Sequence, residues 1–293
     1  MNRPVGVVGA GTMGVGVAHV FAAAGHPAVL VDIDPEALSA AHEQIGADAR
    51  MRPLLTGDSG GPGPDEVLKL ITFSTEIADL APAGYVVENI IESWPAKRDL
   101  HRRLDEVCAA DCVIAVNTSA IPITKLGGVG GRPDRVIGNH FMNPAHLKPL
   151  VEVIRGLRTS DQTVATSRRT LAAIGLESIV VNDSPGFVTN RVAMLSVNEA
   201  VHLLAEGVST APDIDRLFRQ CFGHRMGPLE TADLIGLDTV LYSLDVLLAE
   251  FGDPKYRPSP LLRRYVEAGR LGRKSGRGFH RYEETTKLEE AAQ

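Results

Sequence analysis

The chain has 293 residues, 44% hydrophobic and 23% charged, an ordinary globular composition with length for one large or two modest cores. Its 36 acidic and 30 basic residues leave a formal charge of −6, so nothing draws it over distance to nucleic acid or to an anionic membrane, and neither is expected as a partner. Cys108, Cys112 and Cys221 are odd in number and lack metal-ligand spacing, which reads as reduced thiols in a cytoplasmic protein with no bound metal.

Taken in chain order, short apolar runs alternate with longer amphipathic ones. Residues 4–25 are nearly all apolar or small, but Gly9, Gly11, Gly14, Gly16 and His19 interrupt them, and the segment is expected to be neither a secretory leader nor a span. VGVV (5–8), AVLV (28–31), YVVENII (85–91), CVIAV (112–116), RVIG (135–138), LVEVI (150–154) and SIVV (178–181) read as strands. Between them, 12–25, 35–50, 95–110 and 161–175 carry helical spacing, while LTGDSGGPGPDE (55–66) reads as a surface loop. Strand alternating with helix predicts an α/β domain with a mostly parallel, doubly wound sheet over residues 1–183. From 184 to 293 the strands stop, and 186–207, 211–223, 229–252 and 258–269 predict an all-helical second domain. The last dozen residues, rich in glutamate, are expected to fray.

VGVVGAGTMG places Gly9-x-Gly11-x-x-Gly14 after a strand and at the opening of a helix. Gly9 permits the turn, Gly11 lets backbone approach a pyrophosphate, and Gly14 allows close packing of helix on strand. The helix start, with Thr12 and Met13, supplies unpaired N–H groups. Asp32 ends the second strand eighteen residues past Gly14, where a carboxylate accepts hydrogen bonds from a ribose diol. A 2′-phosphate there would meet like charge, with Asp34 and Glu36 nearby and no arginine over 33–38, so the expected cofactor is NAD and the fold Rossmann-type.

Ligands of an open parallel sheet collect beyond the carboxyl ends of its strands. His140 follows the RVIGNH strand and Asn117-Thr118-Ser119 follows CVIAV, so both loops should open on one crevice. Oxidising a secondary alcohol requires a proton acceptor, for which imidazole suits neutral pH. Glu152, inside the apolar run PLVEVI, would be costly unpaired and is the nearest acid able to orient His140. Taken singly, the two could equally be a hydrogen-bonded core histidine and a strand glutamate. The nucleotide turn favours proton transfer.

Across almost its whole length the chain resembles the L-3-hydroxyacyl-CoA dehydrogenase family, through VGVVGAGTMG, VNTSAIPIT, GNHFMNP, LVEVI, DSPGFVTNR, MGPLETADLIGLD and LGRKSGRGF. The resemblance implies His140 as general base and Glu152 as its orienting partner. It further implies Ser119 on the reacting oxygen and Asn190 at the acyl carbonyl, with Asn143 near the nicotinamide. Glu92, Lys97, Ser119 and Lys274 would contact cofactor, and the helical domain would close the crevice and form a homodimer.

Over 36–68, where the family carries a lysine-bearing helical hairpin that receives the phosphorylated adenosine of coenzyme A, this chain has Arg50 and Arg52 but no lysine. Ala120 replaces a frequent second serine, and His146 and Lys148 add polarity and bulk. The expected activity is NAD-dependent interconversion of a 3-hydroxyacyl thioester, on coenzyme A or an acyl carrier protein, with its 3-oxo form. The same chemistry on a free hydroxy acid or sugar acid, or a non-catalytic NAD-sensing role, stands as the alternative.

Overall fold

The computed structural model describes residues 3–56 and 61–282. The middle of the expected surface loop, residues 57–60, and nearly all of the tail expected to fray, from 283 onward, lie outside the described residues. The chain divides after Ser184 into two compact units.

In the first unit, strands β1 (Val5–Val8), β2 (Ala28–Val31), β3 (Ile71–Ser74), β4 (Tyr85–Glu88), β5 (Val113–Val116), β6 (Val136–His140), β7 (Leu150–Arg155) and β8 (Glu177–Asn182) form one sheet in the order β3-β2-β1-β4-β5-β6-β7-β8. Every neighbouring pair is parallel except β6 and β7. Helices α1 (Thr12–Ala23), α2 (Pro35–Thr56), α3 (Pro64–Lys69), α4 (Trp94–Val107), α5 (Ile123–Gly127) and α6 (Asp161–Ala173) connect them. All residues of β1, β2, β4, β5 and β6 are buried, which is why these strands read as apolar runs, broken only by Glu88 in β4 and by Asn139 and His140 in β6.

Three sequence expectations need correction. Ile71–Ser74 is an edge strand that the apolar-run criterion passes over, because only Ile71 is fully buried. The run 85–91 stops pairing at Glu88, where the backbone turns and Ile90 N bonds Glu88 Oε1 at 2.8 Å. The presumed loop at 55–66 is narrower than expected, since α2 continues to Thr56 with Pro53 inside it and α3 begins at Pro64.

A closed hydrogen-bond ring lies in the core between β4, β6 and α6. Asn139 Nδ2 donates to Tyr85 Oη at 2.7 Å, Tyr85 Oη to Ser167 Oγ at 2.9 Å, and Ser167 Oγ back to Asn139 Oδ1 at 2.9 Å. All three residues are buried, and burial pushes the Tyr85 phenol well above its usual pKa.

The second unit is helical, with α7 (Thr189–Ala205), α8 (Ala211–Phe222), α9 (Pro228–Ile235), α10 (Leu237–Phe251) and α11 (Pro260–Glu267) around Met194, Val201, Leu229, Val240, Leu244 and Tyr256. The run 229–252 is two helices rather than one, because Gly236 at φ +99° breaks it. Asp215 on α8 is fully buried. It accepts the Leu229 and Glu230 backbone N–H groups at 2.9 Å each at the start of α9, and it lies 2.7 Å from His280 Nε2.

Candidate active site

The glycine turn is built for a close backbone approach. A Cβ on Gly14 would stand 1.8 Å from Gly9 O, so α1 can start this near the turn only without a side chain there. Gly9 itself has φ +97°. A Cβ on Gly11, by contrast, would meet nothing within 4 Å, leaving open space at the helix N-terminus beside Thr12 and Met13. Asp32 ends β2 half-buried, held by Ala10 N at 2.6 Å and Asp34 N at 3.0 Å. Open space over N–H donors, with a fixed carboxylate one strand away, fits a dinucleotide.

Strand pairing creates the second cluster. The antiparallel register of β6 and β7 sets His140 directly opposite Glu152, and directly opposed residues project from the same face. His140 Nδ1 lies 3.2 Å from Glu152 Oε2, and His140 Nε2 lies 3.1 Å from Ser119 Oγ in the loop after β5. His140 and Glu152 are 7% and 5% exposed, so little water competes for this chain of three groups.

The neighbouring loop is held by groups to which the sequence reading gave other roles or none. Glu92 Oε1 accepts from Thr118 Oγ1 and from the backbone N–H of Ser119 and Ala120, both at 3.1 Å, which fixes the Ser119 turn. Asn117 links three strand ends. Its Nδ2 donates to Asn89 Oδ1 at 2.8 Å, and its Oδ1 accepts from Phe141 N at 3.2 Å. Lys97 is fully buried, and its Nζ donates to Glu88 Oε1 at 2.7 Å and Asn117 O at 3.1 Å, with Glu92 Oε2 at 3.7 Å. Burial pushes the Glu88 carboxyl up, but the Lys97 charge and hydrogen bond, with the His101 ring 3.8 Å away, outweigh it and hold it below the usual carboxylate range. Glu88 carries the signal that singled out Glu152, an acid inside an apolar run.

Asn143 is exposed in the loop that follows His140. Asn190 and Lys274 belong to the second unit. Asn190 lies half-buried in the first turn of α7, and Lys274 Nζ donates to Asp238 Oδ2 at 2.7 Å.

Comparison with known proteins gives a consistent family. The sequence model of the 3-hydroxyacyl-CoA dehydrogenase NAD binding domain matches residues 4–184, and that of the 3-hydroxyacyl-CoA dehydrogenase C-terminal domain matches 186–282. A probable 3-hydroxybutyryl-CoA dehydrogenase of Bacillus subtilis is 43% identical over 97% of this chain and 99% of its own. One from Deinococcus radiodurans is 44% identical over 94% and 99%. The crystal structure of (S)-3-hydroxybutyryl-CoA dehydrogenase from Ralstonia eutropha superposes with a TM-score of 0.90 at 41% identity, covering 96% of this chain and 99% of that one. The two domain models together span the chain from residue 4 to residue 282, and it belongs to the 3-hydroxyacyl-CoA dehydrogenase family of NAD-dependent oxidoreductases.

Proposed function

We propose that the protein interconverts a short-chain 3-hydroxyacyl-coenzyme A thioester, of the 3-hydroxybutyryl class, and its 3-oxoacyl form. The observation that carries this reading is the chain Ser119 Oγ, His140 Nε2, His140 Nδ1, Glu152 Oε2, with links of 3.1 and 3.2 Å, beyond the strand ends of a dinucleotide-binding sheet. The names of the full-length relatives support the substrate class.

Backbone around Gly9, Gly11, Thr12, Met13 and Gly14 would hold the pyrophosphate of NAD, and Asp32 the adenosine ribose. Asn143 and Ser119 would face the nicotinamide end, and Lys274 would meet cofactor from the second unit. When bound, NAD supplies the acceptor for the hydride leaving the carbinol carbon. His140 takes the hydroxyl proton at Nε2, and the Glu152 carboxylate holds the ring and stabilises the imidazolium that forms. Ser119 and Asn190 offer donors where negative charge gathers on oxygen. Glu92 and Lys97 keep the Ser119 loop in place from below. Two copies would pair through the second unit, whose exposed Val192, Leu217, Phe222, Leu234 and Ile235 provide apolar surface.

The lysine-free segment over 36–68 favours a second reading, in which the acyl group arrives on a carrier protein or as a free acid. The test presents matched 3-hydroxyacyl groups on coenzyme A, on a carrier protein and as free acids, with turnover followed by nicotinamide absorbance. Fastest turnover on coenzyme A is expected, and turnover of free acids alone would overturn the thioester assignment. His140→Ala should lower kcat by about 10²–10⁴-fold while NAD affinity holds.

A further inference from the structure

Beneath the loop that follows His140 lies a cluster that takes no part in the chemistry above. His19 on α1 is 1% exposed, and neither of its ring nitrogens has a hydrogen-bond partner. His146, in the loop between β6 and β7, stacks obliquely on it with ring centroids 5.3 Å apart, and His146 Nδ1 is also unpartnered. Asp48 on α2 directs Oδ2 at that nitrogen from 3.9 Å, while its Oδ1 accepts from Gln44 Nε2 at 2.7 Å. One donor atom from each of the three residues lies within 4.8 Å of the other two.

A buried imidazole with both nitrogens unsatisfied is costly, and here a second orphaned nitrogen and a carboxylate point into the same space. We propose that His19, Asp48 and His146 form a binding site for one divalent transition-metal ion, zinc above all, that ties α1 and α2 to the loop carrying Asn143. Two imidazoles and one carboxylate suit zinc, cobalt or nickel, and disfavour magnesium and calcium, which require oxygen donors. Metal–nitrogen bonds of about 2.0–2.1 Å place tetrahedral donors roughly 3.3 Å apart, so the widest-spaced donors must draw together by up to about 1.5 Å. Gln44 would hold the carboxylate from behind, as outer groups do at such sites. The cleft beside the cluster, about 360 Å³, leaves the remaining coordination position open to water. Arg52 and Lys148 line the same cleft and oppose a cation, so an ion held here relies on its imidazole bonds rather than on charge.

The site differs from the zinc-finger pattern in that its ligands are scattered along the sequence and meet only in the fold, where no spacing rule reaches them. Its occupancy would brace the 141–149 loop without touching substrate.

The test titrates tag-free, chelator-treated full-length protein with Zn²⁺ in equilibrium dialysis and with Co²⁺ by visible absorption. One ion per chain is expected, with the absorption of nitrogen-liganded cobalt and a higher melting temperature in Zn²⁺. His19→Gln, His146→Ala and Asp48→Asn should each weaken binding at least about tenfold, while Arg52→Gln should tighten it. His146 sits in a surface loop, so His146→Ala keeps the test available should His19→Gln fail to fold. No saturable binding by the unsubstituted chain, or binding unchanged by both histidine substitutions, would overturn the site.

Discussion

Lys97 reports on how charge is used around the crevice. Its ammonium is enclosed, and its partners are Glu88, Glu92 and the Asn117 carbonyl, so it sets the position of the loops after β4 and β5 from inside. Removing it leaves Glu88 charged and buried, which costs about 3–5 kcal/mol where a buried pair is broken on one side. Lys97→Met should therefore unfold at markedly lower denaturant concentration, and Glu88→Leu combined with Lys97→Met should recover most of the loss. Because the Glu88 pKa is held below its usual 4.5, the pair's contribution is present above that pH and fades as acid titrates the carboxylate. If the double substitution is as unstable as the single one, the buried pair is not the source of the loss. Individual residues were legible in the sequence where a polar group interrupts an apolar run, as at His140 and Glu152. Asn117 was visible only as part of a strand-end loop, since its work lies in two side-chain bonds to residues distant in sequence.

The elements place His140 and Glu152 through register. β7 runs against β6, and period-two alternation puts Glu152 on the His140 face while Val151 and Val153 face the other way. Moving the carboxylate one position, Glu152→Val with Val153→Glu, should abolish turnover and lower the melting temperature sharply, because the acid then enters apolar core unpaired. Glu152→Gln should keep the fold and lose only rate. A double variant as stable and active as Glu152→Gln would show that register does not matter here. Element boundaries were the least legible feature of the sequence. β3 escaped because an edge strand need not be continuously apolar, and α9 and α10 merged because the left-handed φ of Gly236 cannot be read from an apolar stripe.

At the scale of the whole molecule, the change from strand–helix alternation to helices alone was legible, because it shows as a change of period. The chemistry inside the second unit was not. His280 sits against buried Asp215, and that hydrogen bond and charge, outweighing burial, raise the imidazole pKa above 6.5. A group whose pKa rises on folding contributes its full stability below the unfolded value, and loses it as pH climbs through the folded value. Melting temperature should accordingly fall as pH climbs above 6.5, and His280→Gln should flatten that slope. An unchanged slope in the variant would assign the effect elsewhere.

Asn139 and His140 are consecutive on β6, so their side chains leave the strand on opposite sides. The ring of Tyr85, Asn139 and Ser167 therefore clamps the strand against rolling about its own axis, and it aims the imidazole from the far side of the sheet. Tyr85→Phe leaves an amide donor and a hydroxyl acceptor stranded, at about 1–3 kcal/mol. It should also slow turnover without loosening the dinucleotide, with kcat falling while the NAD dissociation constant stays put. The orientation of the His140 ring is thus expected to be vulnerable to changes at a buried spot on the opposite face of the sheet.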